Sequence, residues 1–252
     1  MIDVALGPTD VRAAEIAVVI DVLRATSTVT QALAAGYRRV LCADSIERAE
    51  GMRDRGRVLA GERSCVKPHG FDQGNSPAEA LRPAGSELVL ATTNGTPAVA
   101  AAAERAATVV LGCMLNLEAI IRTTFEHAGA AGLDVQLVCS GTNGAVALED
   151  VYVAGRISLA LPGSRTDAAL VAEAVAHSFR GPLEALSSGA DARALEAARL
   201  SDDIAFCARE SVLDVVPTVL TASAGIAIVV RSEDLGHPPT APADDRLNTV
   251  SF

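Results

Sequence analysis

Aromatic residues make up only 3% of the 252-residue chain, and tryptophan is absent. Its core must therefore be filled by Ala, Val, Leu and Ile. The shortage of rings, together with a net charge of −10, excludes a general nucleic-acid surface. Such a surface needs a basic stripe and usually stacking aromatics. An acidic protein can still bind a small anion where positive groups are gathered locally. Lysine is nearly missing too: Lys67 is the sole example, and every other Lys or Arg position is arginine. The N-terminus lacks a basic stretch followed by an apolar run, so no signal peptide is expected. No uninterrupted apolar run reaches the roughly 18 residues of a membrane span. The five cysteines, Cys42, Cys65, Cys113, Cys139 and Cys207, are scattered and odd in number. They form no CxxC pair and have no histidine at metal-ligand spacing. Cys42, Cys113 and Cys139 close apolar runs and read as buried thiols. These absences point to a cytoplasmic protein.

What is present is a large supply of core. Hydrophobic residues make up 50% of the chain and charged residues 21%, enough for one large α/β domain or two small ones. Apolar runs of strand length alternate with helical stretches. Strands are expected at Ile16–Ile20, Arg39–Ala43, Val58–Ala60, Leu88–Ala91, Val109–Leu111 and Val135–Cys139. Helices are expected at Ala25–Ala35 (ending at Gly36), Ser45–Arg55, Thr96–Ala107, Asn116–His127 and from the GTNGAVALED segment to about Ala160. This alternation predicts an α/β fold with a largely parallel or mixed sheet covered by helices. Residues 163–210 lose the strand signal and read as several helices, with Asp167, Pro182 and Asp191 or Ser201 near their starts. They form either part of a single domain spanning 1–230 or a subdomain of it. Val215–Leu220 and Ile226–Val230 read as closing strands around the turn TASAG, and 231–252 as a polar, proline-rich tail.

The segment 61–77, GERSCVKPHGFDQGNSP, stands apart. It packs Glu62, Arg63, Lys67, His69, Asp72, Asn75 and Ser76 among glycines and prolines that interrupt any helical period. It reads as a loop carrying acids, bases and amides, the kind of segment on which chemistry tends to sit. An ordinary surface loop with a chance lysine is the plainer alternative.

Other polar clusters follow the expected strands. Asp21, Arg24, Thr26, Ser27 and Thr28 follow the first; Thr92, Thr93, Asn94, Gly95 and Thr96 follow the fourth; Gly141, Thr142 and Gly144 follow a later one. In parallel α/β sheets ligands bind outside the carboxyl ends of strands, so these clusters can share one crevice. Three of them lead into helix N-termini, where free N–H groups and the dipole favour anions. Taken singly, each cluster is better explained by ordinary helix capping. Their convergence with Arg24, Arg63 and Lys67 points toward phosphate or sulfonate. Neither GxxxxGK[ST] nor GxGxxG occurs, so a nucleotide-binding module is unsupported. Asp21, Glu62, Asp72, Glu149 and Asp150 lie in or beside these loops and offer hard oxygen ligands suited to magnesium. Glu149 and Asp150 also suit the first turn of a helix, the better reading for at least one of them. The pair Asp202 and Asp203 reads as a helix start.

Four strings now combine. VVIDVLRATST (18–28), GER with GFDQGNSP (61–77), TTNGT (92–96) and GTNGAVALED (141–150) resemble the 2-phosphosulfolactate phosphatase family, in the family's order and from roughly residue 15 to 220. The resemblance implies a three-layer α/β/α fold and a magnesium-dependent phosphatase. Its substrate would be 2-phospho-3-sulfolactate, on the route to coenzyme M. One departure stands out: Ser64 and Cys65 occupy positions where family members often carry glycine.

On this reading Asp21, Glu62 and Asp72 are the candidates for catalysis, and Asp21, Glu62, Asp72, Glu149 and Asp150 for Mg2+. Arg24, Thr26, Arg63, Lys67, Asn75, Ser76, Thr93, Asn94, Gly95 and Thr142 are the candidates for holding substrate. Asp21 as a direct nucleophile is an alternative to water, but Asp21-Val22-Leu23 lacks the second aspartate of a DxD pattern, which favours water. Replacing Asp72 by Asn is expected to abolish turnover. Two other readings remain: a phosphatase of another small phosphorylated acid, and a non-catalytic sensor of such an anion. A sensor leaves the clustered acids unexplained, because carboxylates repel an anionic ligand unless a metal or proton intervenes. A homodimer is compatible with the chain, although no feature demands it.

Overall fold

The protein's structure, a computed structural model, describes residues 1–129 and 132–235. The first half of the chain forms β1 (Ile2–Ala5), β2 (Ala14–Ile20), α1 (Ala25–Ala35), β3 (Arg39–Ala43), α2 (Ile46–Gly51), β4 (Arg57–Gly61), β5 (Glu87–Ala91), α3 (Gly95–Ala103) and β6 (Ala106–Gly112). It continues with α4 (Leu117–Thr124), β7 (Val135–Cys139), α5 (Leu148–Ala160) and α6 (Asp167–His177). The chain then adds α7 (Pro182–Ser188), α8 (Ala190–Ala197), α9 (Ser201–Cys207), β8 (Pro217–Ser223) and β9 (Ile226–Arg231). A short 3-10 turn, Ser232–Asp234, follows β9. The remainder of the expected tail, 236–252, lies outside the described residues.

The expected alternation is present, with local shifts that have physical causes. The helix α1 stops where Gly36 takes a left-handed φ of 114°, a conformation that costs glycine little. α2 is shorter than the expected 45–55, because Ser45 caps its start and the polar run beyond Gly51 offers no buried face. The helix expected at 96–107 ends at Ala103, and Ala106 and Ala107 instead begin β6. Alanine fits both states, so pairing with β2 decides it. β1, too short to stand out in the sequence, is an edge strand paired with β7. β8 runs through Ser223, so part of the expected turn TASAG is strand. Among the described residues no helix is long and apolar enough to cross a membrane.

One sheet of nine strands runs β1-β7-β2-β6-β8-β9-β3-β5-β4. β1, β7, β2 and β6 form one parallel sector, and β3, β5 and β4 another. The β8–β9 hairpin lies between them, antiparallel to both neighbours. Three successive antiparallel pairings mean that the two parallel sectors run in opposite directions. In a flat sheet their carboxyl ends would lie on opposite edges.

They meet instead. Five strand-to-strand steps separate β2 from β5, and a twist of roughly 20–25° per step turns the second sector by about 100° or more. The inner face of the twisted sheet closes on α1 and α3. A single apolar cluster takes Ala5, Val19, Val40, Val58, Leu88, Val109, Val138 and Val229 from the strands and Val29, Leu33, Ala98 and Ala102 from these helices. The opposite face of the first sector packs Val18, Ile20 and Leu137 against α4 and α5. Ala172, Ala185, Leu195 and Ile204 of α6–α9 belong to the same cluster. α2 covers the opposite face of the second sector around Leu41, Leu59 and Val89. The result is three layers, α/β/α, with an additional helical group seated on α5.

The amino ends of the second sector are tied by charge. Arg39 and Arg57 occupy register positions on either side of Glu87, and both guanidiniums bond its carboxylate at 2.6 and 2.9 Å. Although burial acts to raise it, the two arginines hold the Glu87 carboxyl below its usual 4.5. A depressed carboxyl contributes stability above its unfolded pKa and loses it as pH falls below that value. Glu87→Gln is therefore expected to cost about 1 kcal/mol at neutral pH. Thermal melts should show the gap to wild type closing on acidification below pH 4.5.

Candidate active-site cleft

A cleft of about 240 Å³ opens where the two sectors' carboxyl ends meet. The loops after β2, β4, β5 and β7 line it, joined by α8. Asp21, Arg24, Glu62, Asn75, Thr93, Asn94 and Thr142, all singled out from the sequence, are among its lining residues.

Asp21 is buried at its base. Its Oδ1 accepts the Ala25 N–H at 2.9 Å, the first free donor of α1. Thr26 does not face a ligand. Its hydroxyl accepts the Asp21 N–H at 3.2 Å and shares its one proton between the Asp21 and Gly112 carbonyls at 2.8 and 2.9 Å, fastening the strand end to the helix. Gly95 is the tightest point. A Cβ there would lie 2.5 Å from Asp21 Oδ2 and 2.4 Å from the Ala25 Cβ. Only a bare backbone lets the start of α3 lie against Asp21. The Asn94 and Gly95 N–H groups find no acceptor among the described residues, as anion-binding donors require. Burial first, then the charges of Asp191 and Glu62, push the Asp21 carboxyl up to about 6.

Two tight turns form the rim. Arg63–Val66 and Thr142–Ala145 each close with reciprocal backbone hydrogen bonds. Both have positive φ at their central residues: 49° and 65° at Ser64 and Cys65, 53° and 79° at Asn143 and Gly144. This is the type I′ arrangement, in which glycine or asparagine is favoured. Ser64 and Cys65 hold it at a cost of about 1 kcal/mol each. The departure from glycine noted in the sequence thus falls on residues in left-handed conformation. Glu62 stabilises the first turn. Its oxygens accept the Thr93 N–H at 2.7 Å and the Cys65 N–H at 3.0 Å, binding the β4 loop to the β5 loop. Asn94 Oδ1 accepts the Asn143 N–H at 3.1 Å, joining the β5 loop to the β7 loop.

Arg24 is the one cationic side chain lining the cleft among the described residues, and it is buried. Its Nη1 bonds Asp203 Oδ2 at 2.6 Å, while Ser76 Oγ donates to Asp203 Oδ1 at 2.6 Å. The cleft also receives Asp191 from α8, whose carboxylate accepts the Thr142 hydroxyl. Asp191 and Asp203 begin helices, as their sequence context suggests. Nothing in the one-dimensional pattern marks either as a neighbour of Asp21 or Arg24, because the contacts arise from packing α8 and α9 against the sheet's carboxyl edge.

Other expected site residues fall elsewhere. Asp72 Oδ2 accepts the Leu59 N–H at 2.8 Å and Oδ1 lies 3.7 Å from Arg53, so Asp72 anchors the loop to β4 outside the cleft lining. Arg63 and Lys67 are exposed and outside the lining, with Lys67 Nζ 3.5 Å from the Asp72 carbonyl. Asp150 stands behind the cleft, its oxygens accepting from the Val22 N–H, the Ser140 hydroxyl and the Gly141 N–H at 2.9–3.2 Å. It staples the ends of β2 and β7 together. Burial and the nearby Asp21 charge push its carboxyl well above the ordinary range. Glu149, also behind the lining, is pushed up to about 10 by burial and then by Asp150 and Asp191. It is therefore held neutral near pH 7.

The donor set suits a hard cation. Asp21, Glu62 and Asp191 place three carboxylates on one cleft whose single arginine is already paired. Burial, and after it the like charges of Asp191 and Glu62, raises the Asp21 carboxyl. Among the described residues no group of three His, Cys, Asp or Glu side chains is assembled for metal binding. Magnesium commonly needs only one or two protein carboxylates, with water and substrate phosphate completing its shell. Two residues of the lining, Asn75 and Thr93, have buried side-chain oxygens, Oδ1 and Oγ1, without a hydrogen-bond partner.

The fold and site thus define an α/β protein with a carboxylate-rich, anion-receptive cleft at converging strand ends. Comparison makes the assignment specific. Residues 4–221 match the family described as 2-phosphosulpholactate phosphatase, a longer stretch than the motifs alone indicated. A Thermus thermophilus protein called "Probable 2-phosphosulfolactate phosphatase" is 40% identical over 223 residues, covering 86% of this chain and 92% of its own. Relatives with the same description from Pseudothermotoga lettingae and Deinococcus radiodurans are 38% and 39% identical, covering 86% and 82% of this chain and 95% and 88% of their own. The chain belongs to the 2-phosphosulpholactate phosphatase family.

Gly95→Ala tests the junction. The added methyl must displace Ala25 or Asp21, at a cost of about 1–3 kcal/mol. Calorimetry should record the lower Tm, and turnover of a phosphate ester should fall because Asp21 is moved from α1.

Proposed function

We propose that the chain is a magnesium-dependent phosphatase that hydrolyses 2-phospho-3-sulfolactate to 3-sulfolactate and phosphate. The observation that carries this reading is the buried Asp21, set where the first turns of α1 and α3 meet and facing an acid-lined cleft. Family membership and the names of the relatives support it. A cytoplasmic location, a place on the route to coenzyme M and a homodimer belong to the same reading.

The phosphoryl group sits against the Asn94 and Gly95 N–H donors, with Thr93 and Thr142 beside it. Arg24 receives the second anionic group of the substrate. Asp21 takes the proton from a water that attacks phosphorus from the side opposite the ester oxygen. The P–O ester bond breaks and that oxygen leaves, taking a proton from solvent to become the hydroxyl of 3-sulfolactate, while Asp21 returns its proton to solvent. Glu62 keeps the β4 and β5 loops in register around the group being transferred. Asp21 would hold Mg2+, with Glu62 or Asp191 facing it. Bound there, the ion would offset charge on the phosphoryl oxygens and so admit a polyanionic substrate to a negative cleft.

The deciding experiment measures phosphate release from 2-phosphosulfolactate, phospholactate and other small esters, with and without magnesium. Rapid magnesium-dependent release from the sulfonated ester is expected. Release from other esters alone would redirect the substrate assignment, and tight binding without release would favour a sensor. Asp21→Asn is expected to abolish turnover. Asp72→Asn, outside the lining, should retain activity within about tenfold, contrary to the expectation from sequence.

The pH profile provides an independent check. Asp21 titrates at about 6 in the free protein, so kcat/KM should fall on acidification through that value as the base is protonated. Added magnesium favours the carboxylate and should move this acid limb to lower pH.

A further inference from the structure

Arg24 comes from the segment between β2 and α1, Ser76 from the loop after β4, and Asp203 from α9. The three meet in the interior. Side-chain exposure is 3% at Arg24 and 6% at Asp203. Both Asp203 oxygens are engaged, one by the guanidinium and the other by the Ser76 hydroxyl.

A buried guanidinium without a partner is unfavourable, and a paired one is fixed in direction. Arginine has five N–H donors in a rigid fork. Holding Nη1 against Asp203 orients the others at the cleft that Arg24 lines. The Ser76 bond acts on the same wall, because the adjacent Asn75 is itself a lining residue with a buried, unpartnered Oδ1.

From this geometry we infer that Asp203 is a positioning residue of the cleft. It orients Arg24 as the receptor for the ligand's second anionic group and, through Ser76, sets the Asn75 wall. Asp203 need not touch substrate. Its charge keeps Arg24 paired while the cleft is empty, so the fork is already in place when an anion arrives. The helical group α6–α9 is thereby part of the site.

The turnover arm of the test rests on the phosphatase reading; the binding arm does not. Asp203→Asn and Ser76→Ala are compared with wild type for hydrolysis of 2-phosphosulfolactate and for calorimetric binding of 3-sulfolactate. With Asp203→Asn, KM should rise about ten- to hundredfold while kcat changes much less, the loss expected for a charged hydrogen bond. Binding of 3-sulfolactate should weaken in parallel. Ser76→Ala should produce a smaller change of the same kind, and it covers the case in which Asp203→Asn fails to fold. In the double variant Arg24→Ala/Asp203→Asn, the second substitution should add nothing to the effect of Arg24→Ala.

Unchanged KM and binding in folded Asp203→Asn, with only a lowered Tm, would overturn the inference and leave a purely structural ion pair. Additive effects in the double variant would overturn it as well. Absence of turnover in wild type, with 3-sulfolactate still bound more weakly by the variants, would reject the phosphatase reading while retaining the positioning role.

Discussion

Because position 95 carries no side chain, the first turn of α3 can press against Ala25 and Asp21. The rest of the site depends on that approach. The two parallel sectors run in opposite directions, and nothing in the sheet's hydrogen bonding alone would bring their carboxyl ends together. Twist turns one sector toward the other, and α1 and α3, both packed on the inner face, lock the result. Each helix starts beside the strand end that feeds it, so two positive helix ends face one cleft. Asp21 lies between them and accepts the first N–H of α1.

The cleft also concentrates negative charge to an unusual degree for a site that is to receive an anion. Asp21, Glu62 and Asp191 line it, with Asp150 and Glu149 behind. These acids have separate tasks. Glu62 and Asp150 spend their oxygens on backbone N–H groups and so hold loops. Glu149 is neutral at ordinary pH because burial and its neighbours disfavour ionisation. Asp21 stays near the middle of the useful range for a proton acceptor. Division of labour among carboxylates thus follows from how many donors and how much water each one sees.

Arg24 balances this set in a particular way. Its charge is compensated by Asp203 rather than by a cleft acid, which keeps the guanidinium and the carboxylates from neutralising one another across the ligand's position. The ion pair also anchors α9 to the strand edge, so the helical group on α5 contributes to recognition as well as to packing. Lys67, conspicuous in a chain otherwise using arginine, remains outside the cleft.

Much of this was legible in the chain alone. Apolar period set α1 and β3 to the residue, Gly36 marked a helix end, and the loop motifs identified the polar rim. Asp21, Arg24, Glu62, Asn75, Thr93, Asn94 and Thr142 were identifiable because they lie in the segments that follow expected strands. Local sequence determines such features because helix, strand and turn preferences act over a few residues. Tertiary structure alone decided that β8 and β9 separate two opposed sectors, since register between distant strands leaves no local signature. It also decided that Asp72 anchors a loop, that Asp191 lines the cleft and that Asp203 pairs with Arg24. Asp203 lies 179 residues from Arg24, and an interaction across that span is created by packing rather than by pattern.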